Sequence, residues 1–174
     1  KLSKYLKKGD VIYVESDLTA FNKIFTNSKS KNDFLEFFFI LFKKIIGNSG
    51  NLIVPTFSYS WGDDKKKKVF DVKKTNSSTG IFPAYLLNKK NSSRTKDPMF
   101  SFAIFGKDKM YFSKIGKNTF GKKSIYEKKY IKNNHSKYYD GFYKCCIYSA
   151  SKYICSLSST LWYLRRSCAG CIHA

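Results

Sequence analysis

The sequence predicts an α/β domain built on a parallel sheet, because two short apolar runs flank one long amphipathic segment. The runs are Val11–Val14 and Leu52–Val54, and both are rich in β-branched residues, as buried strands are. Between them, apolar residues recur at helical spacing from Phe34 to Ile46. A strand, a helix and a second strand with a connection of this length predict a right-handed βαβ unit.

The bulk composition fits one globular domain with a sizeable core. The chain has 174 residues, of which 43% are hydrophobic and 18% are aromatic. A disordered protein carries far less apolar material, and two separate cores need a longer chain. The longest apolar run, Phe37–Phe42, is too short to span a bilayer. With no visible signal peptide, the sequence predicts a cytoplasmic protein without a membrane span.

The formal net charge of +21 favours anionic partners, whether nucleic acid, a membrane surface or a phosphorylated small molecule. The charge comes from scattered lysines, with only three arginines at positions 94, 165 and 166. Because arginine is the residue that reads bases and phosphates bidentately, its scarcity argues against a nucleic-acid surface. A solvated lysine coat is the simpler interpretation.

All five cysteines lie in the last thirty residues, at positions 145, 146, 155, 168 and 171. One C-x-x-C pair, Cys168 and Cys171, lacks further ligands at the spacing that a zinc site needs. The sequence therefore predicts no metal site.

The first turn, after the strand Val11–Val14, is a candidate anion site. Ser16 or Asp17 is a suitable N-cap for a helix that begins with Leu18 and Thr19. A strand that runs into a helix start leaves unpaired amides pointing outward, and such amides bind phosphates. An ordinary strand-to-helix turn explains the same pattern.

The second candidate segment follows the second strand. Asp33 and Glu36 form a capping-box pattern for the intervening helix, and Pro55 closes Leu52–Val54. The hydroxyl residues Thr56, Ser58 and Ser60 then come at the edge of the sheet where open α/β folds bind ligands. Capping or turn formation explains hydroxyls here equally well.

Four further features are predicted beyond the charged loop Trp61–Lys74. They are a helix over Ile81–Lys89, a strand over Phe100–Phe105, a short helix over Asp108–Ile115, and a capping box from Ser124 to Glu127 that opens a last helix. Residues 1–140 are thus predicted to be one α/β domain. Residues 141–174 differ in composition, since they contain all five cysteines and no acidic residue.

Five ordered blocks of the chain resemble the aminoglycoside 3-N-acetyltransferase family. They are GDVIYVESDLTAF, GNLIVPTFSYSW, STGIFPAYLLN, RTKDPMFSFAIFGK and NTFGKKSIYE, between residues 5 and 130. They are most similar to members found among surface-polysaccharide genes. The resemblance implies a three-layer α/β/α sandwich with a mostly parallel sheet, acetyl-CoA as cosubstrate, and an aminoglycoside or amino sugar as acceptor.

The resemblance also implies the residues that bind the coenzyme. By position in the family's blocks these are Ser16, Asp17, Leu18, Thr19, Thr56, Ser58 and Ser124. Helix-start amides that hold a pyrophosphate, and a charge that attracts a polyanion, agree with this assignment independently.

No catalytic residue is assigned from the sequence. The family's general base is a histidine in an H-x-x-E motif, whereas the two histidines here, His135 and His173, are not followed by such a glutamate. The family's usual histidine in the first block is Glu15 here.

The family's domain also extends beyond 174 residues, so the resemblance predicts a C-terminally truncated, impaired enzyme. Residues 164–167, read one nucleotide downstream, can spell the family's continuation, which predicts a frameshifted tail over 141–174. The alternative function is a non-catalytic basic module that binds nucleic acid or another polyanion.

Overall fold

The computed structural model describes residues 6–16, 30–59, 69–132 and 146–147, with only the backbone of residues 16, 130, 146 and 147. Its strands are β1 (Val11–Tyr13), β2 (Glu15–Ser16), β3 (Asn51–Pro55), β4 (Ser93–Arg94), β5 (Phe102–Gly106) and β6 (Cys146–Ile147). Its helices are α1 (Lys31–Ile46), α2 (Ile81–Leu87), α3 (Lys109–Ser113) and α4 (Ile125–Lys132). The described part of the chain is therefore a mixed α/β fold, as predicted.

The main sheet has four strands in the order β1-β3-β5-β4. β1 runs parallel to β3, with Val11 opposite Asn51, and α1 lies between them in the chain. This parallel strand-helix-strand unit confirms the prediction from the two apolar runs.

The prediction of a mostly parallel sheet is wrong for these four strands, because β5 is antiparallel to both β3 and β4. Residues 95–101 connect β4 to β5, and parallel strands need a crossover of roughly a dozen residues or more. This short connection makes the two strands antiparallel, so the sheet is mixed.

Helix α1 begins earlier than its predicted capping box. The hydroxyl of Ser30, not the carboxylate of Asp33, caps it by accepting the Asp33 amide at 3.1 Å. The Glu36 carboxylate accepts from Tyr85 of α2 and from Lys89 instead. These donors lower the pKa of Glu36, led by the Lys89 hydrogen bond. Glu36 thus links α1 to α2, and the Asp33–Glu36 pattern does not mark the start of α1.

Buried side chains form two clusters that use alternate residues of the central strands. Ile12, Val14, Leu52 and Val54 pack in one cluster with residues of α1 and α2, including Phe38, Phe42 and Phe82. Val11 and Ile53 pack in the other with Phe112 of α3 and Ile125 of α4. Since successive residues of a strand point to opposite faces, helices cover both faces of this sheet.

Each helix in the described ranges is either too short or too polar to cross a bilayer.

Candidate functional site

One edge of the sheet gathers the segments that the sequence analysis singled out. Tyr13 lies opposite Ile53, so the chain after β1 and the chain after β3 leave the sheet on the same side. Pro55 lies opposite Phe102, and Arg94 lies opposite Ala103, so the start of β5 and the end of β4 lie there too. We call this the site edge, formed by residues 14–16, 56–58, 94–97 and 99–101.

Two predicted coenzyme-binding residues, Thr56 and Ser58, lie at the site edge and are buried. The Thr56 and Ser58 side chains are 0% and 2% exposed. The Thr56 hydroxyl lies 3.1 Å from the hydroxyl of Ser101, and the Ser58 hydroxyl donates to the Pro98 carbonyl at 2.5 Å. Both hydroxyls therefore hold the loop after β3 against the segment before β5.

The first predicted turn is described only at its beginning. The backbone of Ser16 lies in β2, which leaves β3 and pairs in parallel with β6. Asp17, Leu18 and Thr19 lie outside the described residues. β2 belongs to a different sheet from β3, so the pairing between these two parts of the chain ends before Ser16 and Thr56.

Ser124 opens α4, as its sequence pattern predicted. Its buried hydroxyl accepts the Glu127 amide at 3.2 Å. The Glu127 carboxylate in turn accepts the Lys123 amide at 2.5 Å, one residue earlier than a standard capping box. In this structure the hydroxyl of Ser124 fixes the start of the helix that carries Tyr126.

Arg94 joins the site-edge loops, and the sequence analysis assigned it no role. Its guanidinium donates to the carbonyl of Thr56 at 2.8 Å, to the hydroxyl of Ser101 at 3.0 Å and to the carbonyl of Thr75. It also lies 4.9 Å from the centre of the Phe70 ring. The residue is 6% exposed, and burial lowers its pKa. No carboxylate in the described part of the chain pairs with it.

A lysine and three aromatic rings pack beneath the site edge. Lys129, which is buried, places Nζ 3.9 Å from the ring centre of Tyr13, 4.7 Å from that of Tyr126 and 5.3 Å from that of Phe102. The Tyr13 hydroxyl donates to the Glu15 carboxylate. No sequence signal marked this cluster, because its members come from three distant elements.

Tyr126 remains a neutral hydroxyl across the physiological pH range. Burial, followed by the nearby charges of Glu15 and Asp97, raises its pKa to about 12. At neutral pH it is therefore a hydrogen-bond donor and not a base.

The carboxylates of Asp71 and Asp97 accept hydrogen bonds within their own loops. Asp97 accepts the amides of Met99 and Phe100 at 3.0 and 2.8 Å and the Thr119 hydroxyl at 2.6 Å. Asp97 thus shapes its own turn. Asp71 accepts the amides of Lys73 and Lys74, which lower its pKa.

Other predicted features cannot be placed. His135 and His173 lie outside the described residues, as do the side chains of all five cysteines. Within the described ranges, no group of three or more histidine, cysteine, aspartate or glutamate side chains is arranged to hold a metal ion.

Residues 14–135 match the family described as aminoglycoside 3-N-acetyltransferase. No curated protein sequence matches the chain. The matched range contains the site edge and Ser124.

Solved structures share the fold at low sequence identity. The YokD protein from Bacillus subtilis has a TM-score of 0.60 at 16% identity, over 75% of this chain and 59% of its own. AAC-VIa bound to sisomicin has a TM-score of 0.58 at 16% identity, over 73% and 53%. AAC-IIIb in a binary complex with CoASH has a TM-score of 0.50 at 16% identity, over 65% and 47%. The chain thus spans about half the length of these proteins.

Proposed function

Since the chain belongs to the aminoglycoside 3-N-acetyltransferase family, we propose that it binds acetyl-CoA at the site edge and acetylates an amine of an aminoglycoside or amino sugar. The observation that carries this proposal is that the family match contains both segments that follow β1 and β3 at the site edge. The CoA complex of the similar AAC-IIIb structure supports the choice of cosubstrate.

The proposed architecture extends what the described residues show. We take residues 1–140 as one acetyltransferase-like domain that forms a three-layer α/β/α sandwich, with residues 141–174 as its atypical tail. The two core clusters on opposite faces of the sheet support this arrangement.

The proposed coenzyme site uses both segments that leave β1 and β3. Backbone amides in the turn Ser16, Asp17, Leu18 and Thr19 hold the pyrophosphate, because amides at a helix start favour anions. The buried hydroxyls of Thr56 and Ser58 shape the other wall, and Ser124 orients the neighbouring helix α4. The net charge of +21 attracts the polyanionic coenzyme.

The proposed reaction is direct acyl transfer. The acceptor amine attacks the acetyl carbon, and the carbonyl electron pair moves to oxygen. When the carbonyl re-forms, the C–S bond breaks, and the leaving thiolate takes the proton that the nitrogen loses. The products are an N-acetyl amine and CoA thiol. Hydrogen-bond donors placed where the oxyanion develops lower the barrier.

For the acceptor, we propose an amino sugar that carries phosphate. Asp97 accepts two backbone amides and one hydroxyl, so both of its carboxylate oxygens are already used within its loop. A strongly positive protein also repels a polycation at long range and attracts a phosphorylated sugar. The comparisons give no support to the alternative of a basic nucleic-acid-binding module.

We expect this chain to retain CoA binding and to be weakened in acetyl transfer. The printed sequence has no H-x-x-E motif to supply the base that the resemblance implies. We therefore propose that the chain binds CoA and that its acetyl transfer is impaired.

Thermal unfolding with and without CoA tests the proposed binding. Free CoA at roughly 100-fold above its Kd should add about 2.7 kcal/mol of stability, because it binds only the folded state. Asp17→Ala and Ser58→Ala should weaken this stabilisation. Ser92→Ala is the matched control. The Ser92 hydroxyl donates to the carbonyls of Leu87 and Lys89, and Ser92 precedes β4, at the opposite end of the strands from the site edge.

The same samples test transfer through thiol release from acetyl-CoA with a panel of amino sugars. No stabilisation by CoA, together with a DNA affinity that falls steeply with salt, would contradict the proposed function and favour the polyanion module.

A further inference from the structure

The peptide group between Thr56 and Phe57 is held in one orientation by two donors. Its carbonyl oxygen accepts from the Arg94 guanidinium at 2.8 Å and from the Ser101 hydroxyl at 2.7 Å. Both donors belong to the β4–β5 side of β3. Since no peptide bond in the described residues is cis, the N–H of Phe57 points away from these donors, toward the β1 side.

The backbone pattern after β3 agrees with this direction. The amides of Thr56 and Ser58 donate to the carbonyls of Ser101 and Met99 at 2.8 and 3.1 Å. Phe57 lies between them, so its amide faces the opposite way, as alternation along a strand requires. Within the part of the chain that the structure describes, this amide donates no hydrogen bond.

The neighbouring acceptors on the β1 side are already taken. The carbonyl of Pro55 accepts from the Thr79 hydroxyl at 2.6 Å, and the carbonyl of Phe57 accepts from the Ser78 amide at 2.8 Å. Pro55 has no amide proton of its own. The Phe57 N–H thus points to the side of β3 where the pairing with β1 has ended and where residues 78–79 also lie.

Packing of the Phe57 side chain also holds this residue in place. Its centre lies 5.1 Å from that of Phe100 and 5.4 Å from that of Phe102, and both contacts are edge-to-face. A peptide held at its carbonyl and next to a packed ring is preorganised, so it loses little freedom when a ligand accepts its N–H.

We propose that the Phe57 amide is the hydrogen-bond donor to the acetyl carbonyl oxygen, with Arg94 and Ser101 as the positioning residues that aim it. The inference rests on the proposed function and adds the group that meets the developing oxyanion. When the amine nitrogen bonds to the acetyl carbon, the displaced electron pair on oxygen accepts the Phe57 N–H. When the C–S bond breaks, the pair returns and CoA leaves with the proton from nitrogen.

The Arg94 charge strengthens this donor. Hydrogen bonds to a peptide carbonyl polarise the whole peptide, so its N–H becomes a better donor. The guanidinium has no carboxylate partner in the described residues, so its positive charge is not cancelled locally. Loss of one donor to an oxyanion lowers kcat by roughly 100-fold to 1,000-fold in other enzymes.

Amide NMR spectra of the full 20.2 kDa chain test the inference without needing turnover. The probes are CoA, which lacks the acetyl carbonyl, and dethia-acetyl-CoA, a ketone analogue in which methylene replaces the thioester sulfur. Both should shift amides at the site edge. Only the ketone should move the Phe57 amide proton downfield, while the bonded amides of Thr56 and Ser58 serve as internal references.

The Arg94→Lys and Ser101→Ala variants separate positioning from folding. Each should lose most of the ketone-specific shift of Phe57 while other site-edge amides still shift with CoA, whereas Ser92→Ala should keep the Phe57 shift. If Arg94→Lys does not fold, Ser101→Ala, which removes a single hydroxyl, decides the question.

The possible outcomes are distinct. A Phe57 amide that responds equally to CoA and to the ketone, or to neither while other site-edge amides shift, overturns the inference and leaves the proposed function standing. If neither probe shifts any amide, the proposed function fails, and the inference falls with it.

Discussion

Replacing Phe42 with alanine should lower the free energy of unfolding by about 3–5 kcal/mol. Phe42 is 0% exposed, and its ring packs edge-to-face on Phe38 at 4.8 Å and against Phe82 at 6.4 Å. Removing the ring takes away its burial and leaves a cavity between α1 and α2 that rigid neighbours cannot close. Denaturant unfolding measures the change as a lower midpoint with the same slope.

The same helix provides the matched control. Phe37 is 64% exposed, so Phe37→Ala should change the free energy of unfolding by no more than about 0.5 kcal/mol. Equal effects of the two substitutions would mean that the cluster containing Phe42 does not form the core between α1 and the sheet.

Arg94→Met should lower the free energy of unfolding by about 3 kcal/mol, although methionine fills much of the same space. The substitution leaves the buried carbonyl of Thr56 with one donor fewer and the carbonyl of Thr75 without its guanidinium donor. Each buried polar group that loses its partner costs about 1–3 kcal/mol. Arg94→Lys should lose less, because lysine keeps the charge but not the planar fork.

The control for Arg94 is its exposed neighbour Lys96. Lys96→Met removes a positive charge two residues away without breaking a buried hydrogen bond, so its effect on stability should be small. Denaturant midpoints of the three variants give the comparison. A loss for Lys96→Met as large as that for Arg94→Met would show that net charge, and not the buried hydrogen bonds, sets the effect.

The local part of the fold could be predicted from the sequence. The runs at Val11–Val14 and Leu52–Val54 lie at β1 and β3, and the helical spacing after Phe34 belongs to α1. These signals depend on side chains a few positions apart, which a sequence shows directly. In the predicted capping box from Ser124 to Glu127, the hydrogen bond from the Glu127 amide to the Ser124 hydroxyl was confirmed for the same reason.

The antiparallel direction of β5 could not be predicted in this way. The run Phe100–Phe105 is apolar whichever way its partner runs, and the observed strand is Phe102–Gly106. The sequence analysis predicted no strand at the two residues of β4. Pairing partners and their directions are long-range properties, so the predicted sheet was parallel and the observed one is mixed.

The contacts of the candidate site were largely beyond the sequence. Arg94 donates to a carbonyl 38 positions away, and Lys129 meets rings from β1 and β5. Thr56 and Ser58 were placed at the correct edge by their position after a strand, but their internal hydrogen bonds depend on Ser101 and Pro98. Their contact with a coenzyme stays a prediction.

A crystal structure of the full chain with CoA tests the central claim most directly. The account predicts the pantetheine thiol at the site edge, between the backbones of Ser16 and Thr56, with the pyrophosphate at the turn that follows Ser16. CoA bound away from the site edge would contradict it.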